Sequence, residues 1–433
     1  MSLDGKILKI FGKKIFPGWY IVVGHMAVHF YMSIAFIYGM GAFMKPITLS
    51  MGWTRTQFSI AAGLQRIEGS IATPFIGFIV DRYGPRLIII FGSIVACIGI
   101  LLLSRIQLLS QFYAAYIVIA LGMSCMIGVP FTAAVANWFN RLRGRAMGVL
   151  FSGPIIAGPF MPILILIIEL FGWRQTLVIL AFGAAIVGII AGLFARHTPE
   201  PYGYLPDGDE LDINDANIVL SADPASLSAS EKSVTNNIIR TGLSVREALR
   251  TKTFWILTIA LGLHSMGPSA MFLHQIPYFE SIGFTSSQAA STFASFTLLS
   301  GIGRLSAGWL LDFIDRRIVL IVLIISGVLG LLILAYVTEY WHSVLYAFFF
   351  GISFGMGIPS RPLLCSVYFG TRSFGAIAGL MQSLSVVAGV AAPVIMGWQY
   401  DSSGSYKSAV LLLAVLTSLG LPLVFLLPKS RRQ

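Results

Sequence analysis

Arg304 is the residue whose type and position most directly suggest a chemical role. It lies within a long apolar stretch, eight residues before Asp312, which corresponds to about 12 Å along an α-helix. A cation at such a depth is costly if the stretch spans a membrane, and it usually serves a function. Because a guanidinium can donate to both oxygens of a carboxylate, we expect Arg304 to bind an organic anion. The alternative is a structural arginine that pairs with a helix carbonyl or an acidic neighbour, and it is less favoured because no Asp or Glu precedes Asp312 in this stretch.

Glu68 is a second candidate, with Arg66 two positions before it. Glu68 precedes Asp81 by 13 residues, or about 20 Å along a helix. A carboxyl group in an apolar environment holds its proton more readily, so Glu68 is a candidate for coupling proton movement to another event. The alternative is that Arg66 and Glu68 pair with other helices, since residues two apart on a helix do not face each other.

Two histidines, His29 and His264, are predicted near the middle of the first and seventh apolar stretches. Imidazole titrates near neutral pH and can bond a carboxylate, so both are candidates for the same anion site. The alternative for each is a packed polar residue. Tyr31, Ser124 and Gln382 are further candidates for the polar lining of that site.

The elements that must hold these residues are apolar helices. The chain has 433 residues, of which 56% are hydrophobic and 11% charged, whereas soluble domains carry about 25% charged residues. The sequence therefore predicts a membrane protein with about twelve spans of roughly 20 residues or more. They are predicted at residues 17–43, 57–80, 86–104, 111–137, 145–169, 174–195, 253–280, 288–311, 317–337, 342–369, 374–400 and 406–427.

The formal net charge of +11 could indicate a nucleic-acid partner, but its distribution points to a lipid bilayer instead. With the N-terminus assigned to the cytoplasm, 21 of the 29 Lys and Arg residues fall on the cytoplasmic side and five on the other. This is the positive-inside bias, so both termini are predicted to be cytoplasmic and no nucleic-acid partner is expected. The segment from Lys6 to Phe16 is predicted to lie on the inner surface as a short amphipathic helix.

Several features recur at an offset of 231 residues. Gly52-Trp53-Thr54 matches Gly283-Phe284-Thr285, and Asp81 matches Asp312. Repeated hydrophobic halves are typical of secondary transporters, whose solute site lies between the halves. The predicted fold is therefore an all-α membrane protein with twelve transmembrane helices in two pseudo-symmetric six-helix bundles.

The two predicted bundles comprise residues 1–195 and 253–433, and a polar stretch, residues 196–252, separates them. Its acidic, serine-rich and proline-containing composition is typical of a flexible linker, predicted to be cytoplasmic. Near its end, Ser244-Val-Arg-Glu247 matches a capping box and predicts a short amphipathic helix, Ser244–Thr251.

Asp81 and Asp312 each end a predicted span at the cytoplasmic face. Pseudo-symmetry predicts that Asp312 faces the start of the fifth span near Arg145, and Asp81 the start of the eleventh near Ser373. A carboxylate is stabilised at a helix N-terminus, so these contacts are predicted to close the inner side as a gate. Arg82 and Arg86 belong to the same predicted gate. The alternative is that these charges only determine topology.

No catalytic or metal chemistry is predicted. The three cysteines, Cys97, Cys125 and Cys365, all fall in apolar stretches, so neither a disulfide framework nor a metal-ligand spacing is indicated. The sequence also lacks an evident nucleophile–base pair and a phosphate-binding loop. We therefore expect no enzyme, no cofactor and no metal.

Three motifs carry a family resemblance over nearly the whole chain except the linker. Gly77-x-x-x-Asp81-Arg82-x-Gly84-x-Arg86 is similar to the signature loop of the major facilitator superfamily. Asn137-Trp138-Phe139-Asn140-Arg141-x-Arg143-Gly144-Arg145-Ala146-x-Gly148 resembles the start of the fifth helix in monocarboxylate transporters and in the oxalate:formate antiporter family. Tyr368-Phe369-Gly370-x-Arg372-x-Phe374-Gly375-x-x-x-Gly379 resembles the matching region of the second half.

The resemblance implies that Arg304 binds the carboxylate of a substrate, because an arginine at this place does so in the resembling families. The oxalate transporter has a second cation, a lysine in its eleventh helix, but residues 374–400 of this sequence contain no Lys or Arg. One cation matches one carboxylate, so a monocarboxylate is favoured. Arg361 could supply a second charge, but its predicted position nearer the cytoplasm favours a snorkelling or inner-gate role.

We therefore expect a transporter that carries a small organic monocarboxylate, such as lactate, pyruvate, formate or acetate, together with a proton. The main alternative is an obligate exchanger of organic anions without proton coupling. A receptor with a transporter fold and an exporter of larger hydrophobic anions stay open. The short loops favour a bacterial inner membrane.

Overall fold

The computed structural model describes residues 9–10, 13–14, 16–127, 129–139, 142–204, 206–208, 243–370 and 373–428. These residues are almost entirely helical, which confirms the predicted fold class. The helices before the linker are α1 (Gly18–Met32), α2 (Gly39–Met51), α3 (Arg55–Tyr83), α4 (Pro85–Ser104), α5 (Leu109–Met126), α6 (Val129–Trp138), α7 (Arg143–Leu150), α8 (Gly153–Ala157) and α9 (Met161–Phe194). Those after it are α10 (Val245–Arg250), α11 (Lys252–Ser281), α12 (Ser286–Phe313), α13 (Arg316–Ala335), α14 (Tyr340–Phe369), α15 (Phe374–Ser403), α16 (Lys407–Ser418) and α17 (Gly420–Phe425).

Within the described residues, nine helical stretches are long and apolar enough to cross a membrane. One of them, the 50-residue stretch Arg145–Phe194, contains two of the predicted spans. They are separated inside α9 at Gly172, whose φ of 75° is a conformation that only glycine adopts readily. Helices α3 and α12 are not among the nine, and these are the helices that carry Arg66, Glu68 and Arg304.

Short turns join most consecutive helices, so the chain runs up and down through the bundle. We call the end near residues 196–252 the linker end and the opposite end the distal end. At the distal end, the repeated sequence motif forms the same turn twice. Gly52 (φ 68°) and Gly283 (φ 96°) reverse the chain, and Thr54 and Thr285 each cap the next helix in a capping box. The repeat found in the sequence therefore marks the starts of α3 and α12.

The described parts of the linker agree with one prediction. Ser244 accepts a hydrogen bond from the Glu247 N–H at 3.3 Å, and the Glu247 carboxylate accepts one from the Ser244 N–H at 2.7 Å. This capping box starts α10, as the sequence predicts. Residues 209–242 lie outside the described part of the chain.

The N-terminal segment differs from its prediction. Lys9 and Ile10 pair in antiparallel register with Lys14 and Lys13, which gives two short strands, β1 (Lys9–Ile10) and β2 (Lys13–Lys14). The predicted amphipathic helix is therefore wrong for these four residues.

Two groups of contacts join the two halves. Helix α3 packs along α15, and α2 packs against α11. On the other side of the bundle, α12 packs against α8, α9 and the 3-10 turn Gly158–Phe160. At this contact Gly158 is so close to Thr297 that an added Cβ would lie 1.5 Å from its hydroxyl. Small residues therefore let the backbones approach, and cavities lie between these contacts.

Candidate functional site

Two adjoining cavities lie between the halves. The Glu68 cavity has a volume of about 430 Å³ and is lined mainly by α3, α5 and α11. The Arg361 cavity has a volume of about 360 Å³ and is lined mainly by α11 and α14. Arg66, Ser269 and Phe272 line both, so the side chain of Arg66 stands where the two cavities meet.

Glu68 and Ser124 come together in the Glu68 cavity. The Ser124 hydroxyl donates to Glu68 Oε2 at 3.2 Å. Glu68 Oε1 is buried and has no hydrogen-bond partner among the described residues. A buried oxygen without a donor disfavours the charged carboxylate, so this environment suits a group that binds and releases a proton.

Arg66 extends from α3 to the second half. Its Nη1 lies 3.2 Å from the position that a Cβ on Gly389 of α15 would take. The adjacent Gly389 carbonyl accepts a hydrogen bond from the Ser269 hydroxyl of α11. The guanidinium of a first-half helix therefore lies beside α15 and lines both cavities together with Ser269 of α11.

Arg361, His264 and Gln382 come together in the Arg361 cavity. Arg361 Nη1 donates to Gln382 Oε1, and Nη2 donates to the Leu261 carbonyl at 3.5 Å. Arg361 Nε is buried without a partner among the described residues. His264 Nε2 lies 2.9 Å from the Ser353 hydroxyl. The side chain of Arg361 therefore lines an internal cavity, which differs from the snorkelling alternative, while the inner-gate alternative stays a prediction.

Arg304 contacts the first half at a break between two helices. Its Nη1 donates to the Phe151 carbonyl at 3.2 Å, where α7 ends and α8 has not yet begun. The Ile155 N–H, which would bond this carbonyl in a continuous α-helix, instead donates to the Ser152 carbonyl at 3.0 Å, so the Phe151 carbonyl is available to Arg304. Arg304 Nε is buried without a partner in the described part of the chain. Neither cavity is lined by Arg304.

His29 lies within electrostatic range of Arg304. Its ring centre is 5.2 Å from that of His25 and 6.3 Å from that of Phe151. The two histidines predicted for one site therefore belong to different groups, His29 with Arg304 and His264 with Arg361.

Tyr31 lines neither cavity. Its hydroxyl donates to the Leu180 carbonyl at 3.0 Å and lies against Gly183, so it holds α1 to α9. The side chain points toward α9 rather than into either cavity. The structure therefore corrects the expectation that Tyr31 lines the site.

The predicted gate at the linker end is only partly described. The side chains of Asp81 and Asp312 lie outside the described part of the structure. Arg82, Arg86 and Arg145 are described and exposed, and the Arg82 guanidinium lies 5.5 Å from the ring centre of Tyr83. The proposed contacts of the two carboxylates therefore stay predictions.

Sequence reasoning missed a group of polar contacts at the distal end, which we call the distal cluster: Arg55, Thr56, Ser59, His274, Asp401 and Tyr406. Asp401 accepts from the backbone N–H groups of Arg55 at 3.0 Å and Thr56 at 2.8 Å. Arg55 also donates to the Tyr406 hydroxyl and lies 3.6 Å from the ring centre of Tyr400. The cluster therefore ties the start of α3 to the end of α15.

His274 completes the distal cluster from α11. Its Nε2 lies 2.9 Å from both the Ser59 hydroxyl and the Pro393 carbonyl. Because a carbonyl only accepts, Nε2 carries a proton. Its Nδ1 lies 3.1 Å from the Tyr406 hydroxyl. The ring therefore links three helices, which its sequence position near the end of a span did not reveal.

A second contact closes the distal end nearby. Lys45 Nζ, on α2, lies 3.2 Å from Glu280 Oε2 on α11. Glu280 Oε1 accepts a hydrogen bond of 2.8 Å from Ser286, in the first turn of α12. Each half therefore contributes one member of this ion pair.

The chain is similar in sequence to one protein family and to several individual proteins, and similar in fold to solved structures. The model of the Major Facilitator Superfamily matches residues 26–393 and 265–433. Monocarboxylate transporter 12 of Xenopus laevis is 26% identical over 351 residues, which cover 79% of this chain and 74% of that protein. The fujikurins efflux protein of Gibberella fujikuroi is 35% identical over 130 residues, 30% of this chain and 28% of that one. The fold is similar to the crystal structure of a bacterial homolog to the human lysosomal transporter Spinster, in an inward-facing and unoccupied conformation. The superposition covers 95% of this chain and 96% of that chain, with a TM-score of 0.69 and 15% sequence identity.

Proposed function

Because this chain belongs to the major facilitator superfamily and is a multi-pass membrane transporter, we propose that it carries a small organic monocarboxylate together with a proton. The proposed cargo is of the lactate, pyruvate, formate or acetate type. A relative named monocarboxylate transporter 12, similar over 79% of this chain, supports this class of cargo.

The environment of Arg304 carries the proposal. Its guanidinium belongs to the second half but bonds the Phe151 carbonyl of the first half, and its Nε lacks a partner among the described residues. A carboxylate at this point would satisfy that donor and offset the charge. His29, which lies within electrostatic range, is the second group proposed to contact the cargo.

Glu68 is the proposed proton carrier, and Arg66 is proposed to act with it. The carboxyl group lines a cavity between the halves and retains one buried oxygen without a donor. Protonation of such a group removes the cost of a buried charge. A proton bound there would therefore be retained while the cavity is closed to water and released when it opens.

The proposed mechanism is alternating access by rocking of the two halves. The distal cluster and the Lys45–Glu280 pair close the distal end, and the predicted contacts of Asp81 and Asp312, with Arg82, Arg86 and Arg145 nearby, would close the linker end in the opposite state. We infer from the excess of Lys and Arg that the linker end and both termini face the cytoplasm. A bacterial inner membrane is the proposed location.

Uptake of labelled lactate into proteoliposomes tests the proposal. Wild type, Arg304→Lys, Arg304→Gln and the exposed control Arg105→Gln would be compared with and without an inward proton gradient. We expect gradient-driven uptake that falls about tenfold or more in both Arg304 variants, because a lysine keeps the charge but loses the two-pronged geometry. Arg105→Gln should transport like wild type.

Three results would contradict the proposal in distinguishable ways. Uptake that needs a counter-anion inside the vesicles and ignores the proton gradient indicates an obligate exchanger. Binding of lactate without flux indicates a receptor. Uptake that is equal in wild type and Arg304→Gln removes Arg304 from the site.

Export of a larger organic anion is a second candidate function. The similarity to the fujikurins efflux protein and the apolar part of the Glu68 cavity lining, which includes Phe36, Ile37 and Met40, both favour it. Competition of lactate uptake by long-chain carboxylates distinguishes the two. An exporter of larger anions should bind the long-chain compound more tightly.

A further inference from the structure

A further cavity lies at the distal end of the second half, outside the region proposed to bind the cargo. It has a volume of about 280 Å³ and lies between the end of α11, the α13–α14 turn and the α15–α16 turn. Among the described residues, no Asp or Glu lines it, and Lys407 is the one charged side chain of its wall. We call it the tyrosine cavity and define it by Tyr278, Ser281, Tyr336, Ser405, Tyr406 and Lys407.

The ammonium group of Lys407 is available to an anion. Lys407 is exposed and begins α16. Its Nζ lies 4.3 Å from the ring centre of Tyr336, and within the described part of the chain it forms neither an ion pair nor a hydrogen bond. A contact with an aromatic face leaves the N–H donors of an ammonium group free. The Ser405 hydroxyl, which accepts from the Lys407 backbone N–H at 3.2 Å, keeps its own hydrogen as a second donor.

The first half contains a counterpart of Lys407 that is used differently. Trp173-Arg174 begins the second part of α9 and Tyr406-Lys407 begins α16, and both aromatic side chains are buried. Buried residues then follow each ring at the same spacing, three, four, seven, eight and eleven positions later. Arg174 Nη2 donates to the Ile106 carbonyl in the α4–α5 turn at 3.0 Å. Lys407 forms no such hydrogen bond to the α13–α14 turn, and the tyrosine cavity lies between the two instead.

The position of the cavity along the bundle indicates which anion is at hand. Tyr336, at the end of α13, is 61% exposed, and Trp341, at the start of α14, is 55% exposed. Exposed tyrosine and tryptophan side chains are enriched where a membrane meets water, at the level of the lipid headgroups. A lysine at this level reaches toward the same layer. The anion most abundant there is the phosphate group of a phospholipid.

We propose that the tyrosine cavity binds the phosphate group of an anionic phospholipid from the leaflet at the distal end. The phosphate oxygens accept from Lys407 Nζ and the Ser405 hydroxyl, and the rest of the headgroup occupies the cavity. Because Tyr406 belongs both to this cavity and to the distal cluster, a bound headgroup stabilises the state in which the distal end is closed.

The first test measures lipid binding to the purified protein by native mass spectrometry. Dioleoylphosphatidylglycerol carries a net negative charge, whereas dioleoylphosphatidylcholine has the same acyl chains and no net charge. We expect wild type to prefer the first lipid, and Lys407→Gln to lower its affinity about fivefold or more. Arg105→Gln removes an exposed cation at the distal end of the first half and should keep the wild-type affinity. Equal losses in the two variants would indicate general charge attraction and overturn the site.

A second pair of variants keeps Lys407 and tests the cavity itself. Ser281→Leu places a larger apolar side chain in the cavity, while Ser402→Leu makes the same change outside it. Each serine hydroxyl bonds only a carbonyl of its own helix, that of Tyr278 or Gln399, so the two variants lose an equivalent bond. Ser281→Leu should weaken phosphatidylglycerol binding severalfold and Ser402→Leu should not. Equal affinities in the two variants would show that the lipid binds elsewhere.

Inorganic phosphate distinguishes a lipid from a soluble anion. A lipid also gains contacts through its acyl chains, so an excess of inorganic phosphate should leave phosphatidylglycerol bound. Displacement by inorganic phosphate alone would overturn the lipid assignment. Because these assays measure binding, their outcome does not depend on lactate transport.

Hydrogen exchange in nanodiscs tests the link to the distal cluster. Addition of phosphatidylglycerol to phosphatidylcholine nanodiscs should slow exchange severalfold over the α15–α16 turn and the first turn of α3 in wild type, but not in Lys407→Gln. Exchange at the start of α3 that ignores the lipid in wild type would contradict the proposed effect on distal closure.

Discussion

The carboxylate of Asp401 accepts a hydrogen bond of 2.8 Å from the backbone N–H of Thr56, although the two residues are 345 positions apart. Asp401 lies in the last turn of α15 and Thr56 in the first turn of α3. A negative charge from the second half therefore caps a helix of the first half and interacts favourably with its dipole.

At the linker end, the same two helices are predicted to form a matching contact, in which the carboxylate comes from α3 and the helix N-terminus from α15. Helix α3 runs from the distal end to the linker end, and α15 runs back alongside it. The predicted contact of Asp81, near the end of α3, with the start of α15 would repeat the Asp401 arrangement. We expect one cap to be formed when the other is broken, since rocking of the halves separates one end as it closes the other.

Replacement of Asp401 by alanine should open the distal end. The change removes the acceptor for the Arg55 and Thr56 N–H groups, and a hydrogen bond to a charged group contributes about 1.5–3 kcal/mol. Hydrogen exchange measured by mass spectrometry should show faster exchange over the first turn of α3, by about tenfold or more. Ser402→Ala is the matched control, because the Ser402 hydroxyl bonds only the Gln399 carbonyl of its own helix. Exchange as slow in Asp401→Ala as in the control would contradict this role.

The Lys45–Glu280 pair should contribute modestly to the stability of the closed distal end. The Lys45 side chain is 48% exposed and that of Glu280 11% exposed, and ion pairs exposed to this extent typically contribute about 0.2–1 kcal/mol. A double-mutant cycle with Lys45→Gln, Glu280→Gln and both changes should give a coupling free energy in that range from thermal unfolding. Additive effects would show that the pair does not stabilise this state.

Neutralisation of Glu68 should separate proton movement from substrate movement. Glu68→Gln keeps an acceptor for the Ser124 hydroxyl, whose bond to Glu68 is 3.2 Å long, but cannot bind and release a proton. We expect exchange of labelled lactate to continue while accumulation driven by a proton gradient falls about tenfold or more. An internal pH dye would report the loss of proton entry. Glu339→Gln is the control, since Glu339 accepts a hydrogen bond from the exposed Trp341 side chain at the distal end. Proton-driven accumulation that persists in Glu68→Gln would show that another residue carries the proton.

Tyr31→Phe should affect stability rather than substrate affinity. The substitution removes the bond from the Tyr31 hydroxyl to the Leu180 carbonyl, a loss of about 1 kcal/mol. The melting temperature should therefore fall, while the KM for lactate stays at the wild-type value. A raised KM for lactate with an unchanged melting temperature would show instead that Tyr31 contacts the substrate.

The sequence was sufficient to predict the features that depend on local pattern. Apolar stretches of spanning length predicted the helices, and the repeated Gly-aromatic-Thr motif marked the starts of α3 and α12, where Thr54 and Thr285 form capping boxes. The Ser244 cap was predicted for the same reason, because both partners lie within one turn of helix. Such interactions need no knowledge of how the helices pack.

Features that depend on rotation about a helix axis could not be predicted from one sequence. Sequence position gives the place of Tyr31 along its helix, but it does not show that the side chain faces α9. The position of Arg361 nearer the cytoplasm predicts a snorkelling or inner-gate role, but the direction of its side chain depends on the rotation of α14 about its axis. The Asp401–Thr56 contact joins residues 345 positions apart, so neither local pattern nor spacing could indicate it.

The low hydropathy of α3 has a consequence for the synthesis of the protein. This helix is less apolar than the nine described stretches that are long and apolar enough to cross a membrane, and its charged residues disfavour the insertion of the isolated helix. Its main partner in the other half, α15, follows it by several hundred residues. During translation α3 therefore depends on neighbouring first-half helices to remain inserted, and it reaches its final environment only when the last part of the chain has emerged. A nascent chain that stops before α15 therefore leaves Arg66 without the second-half helix beside which it lies in the folded protein.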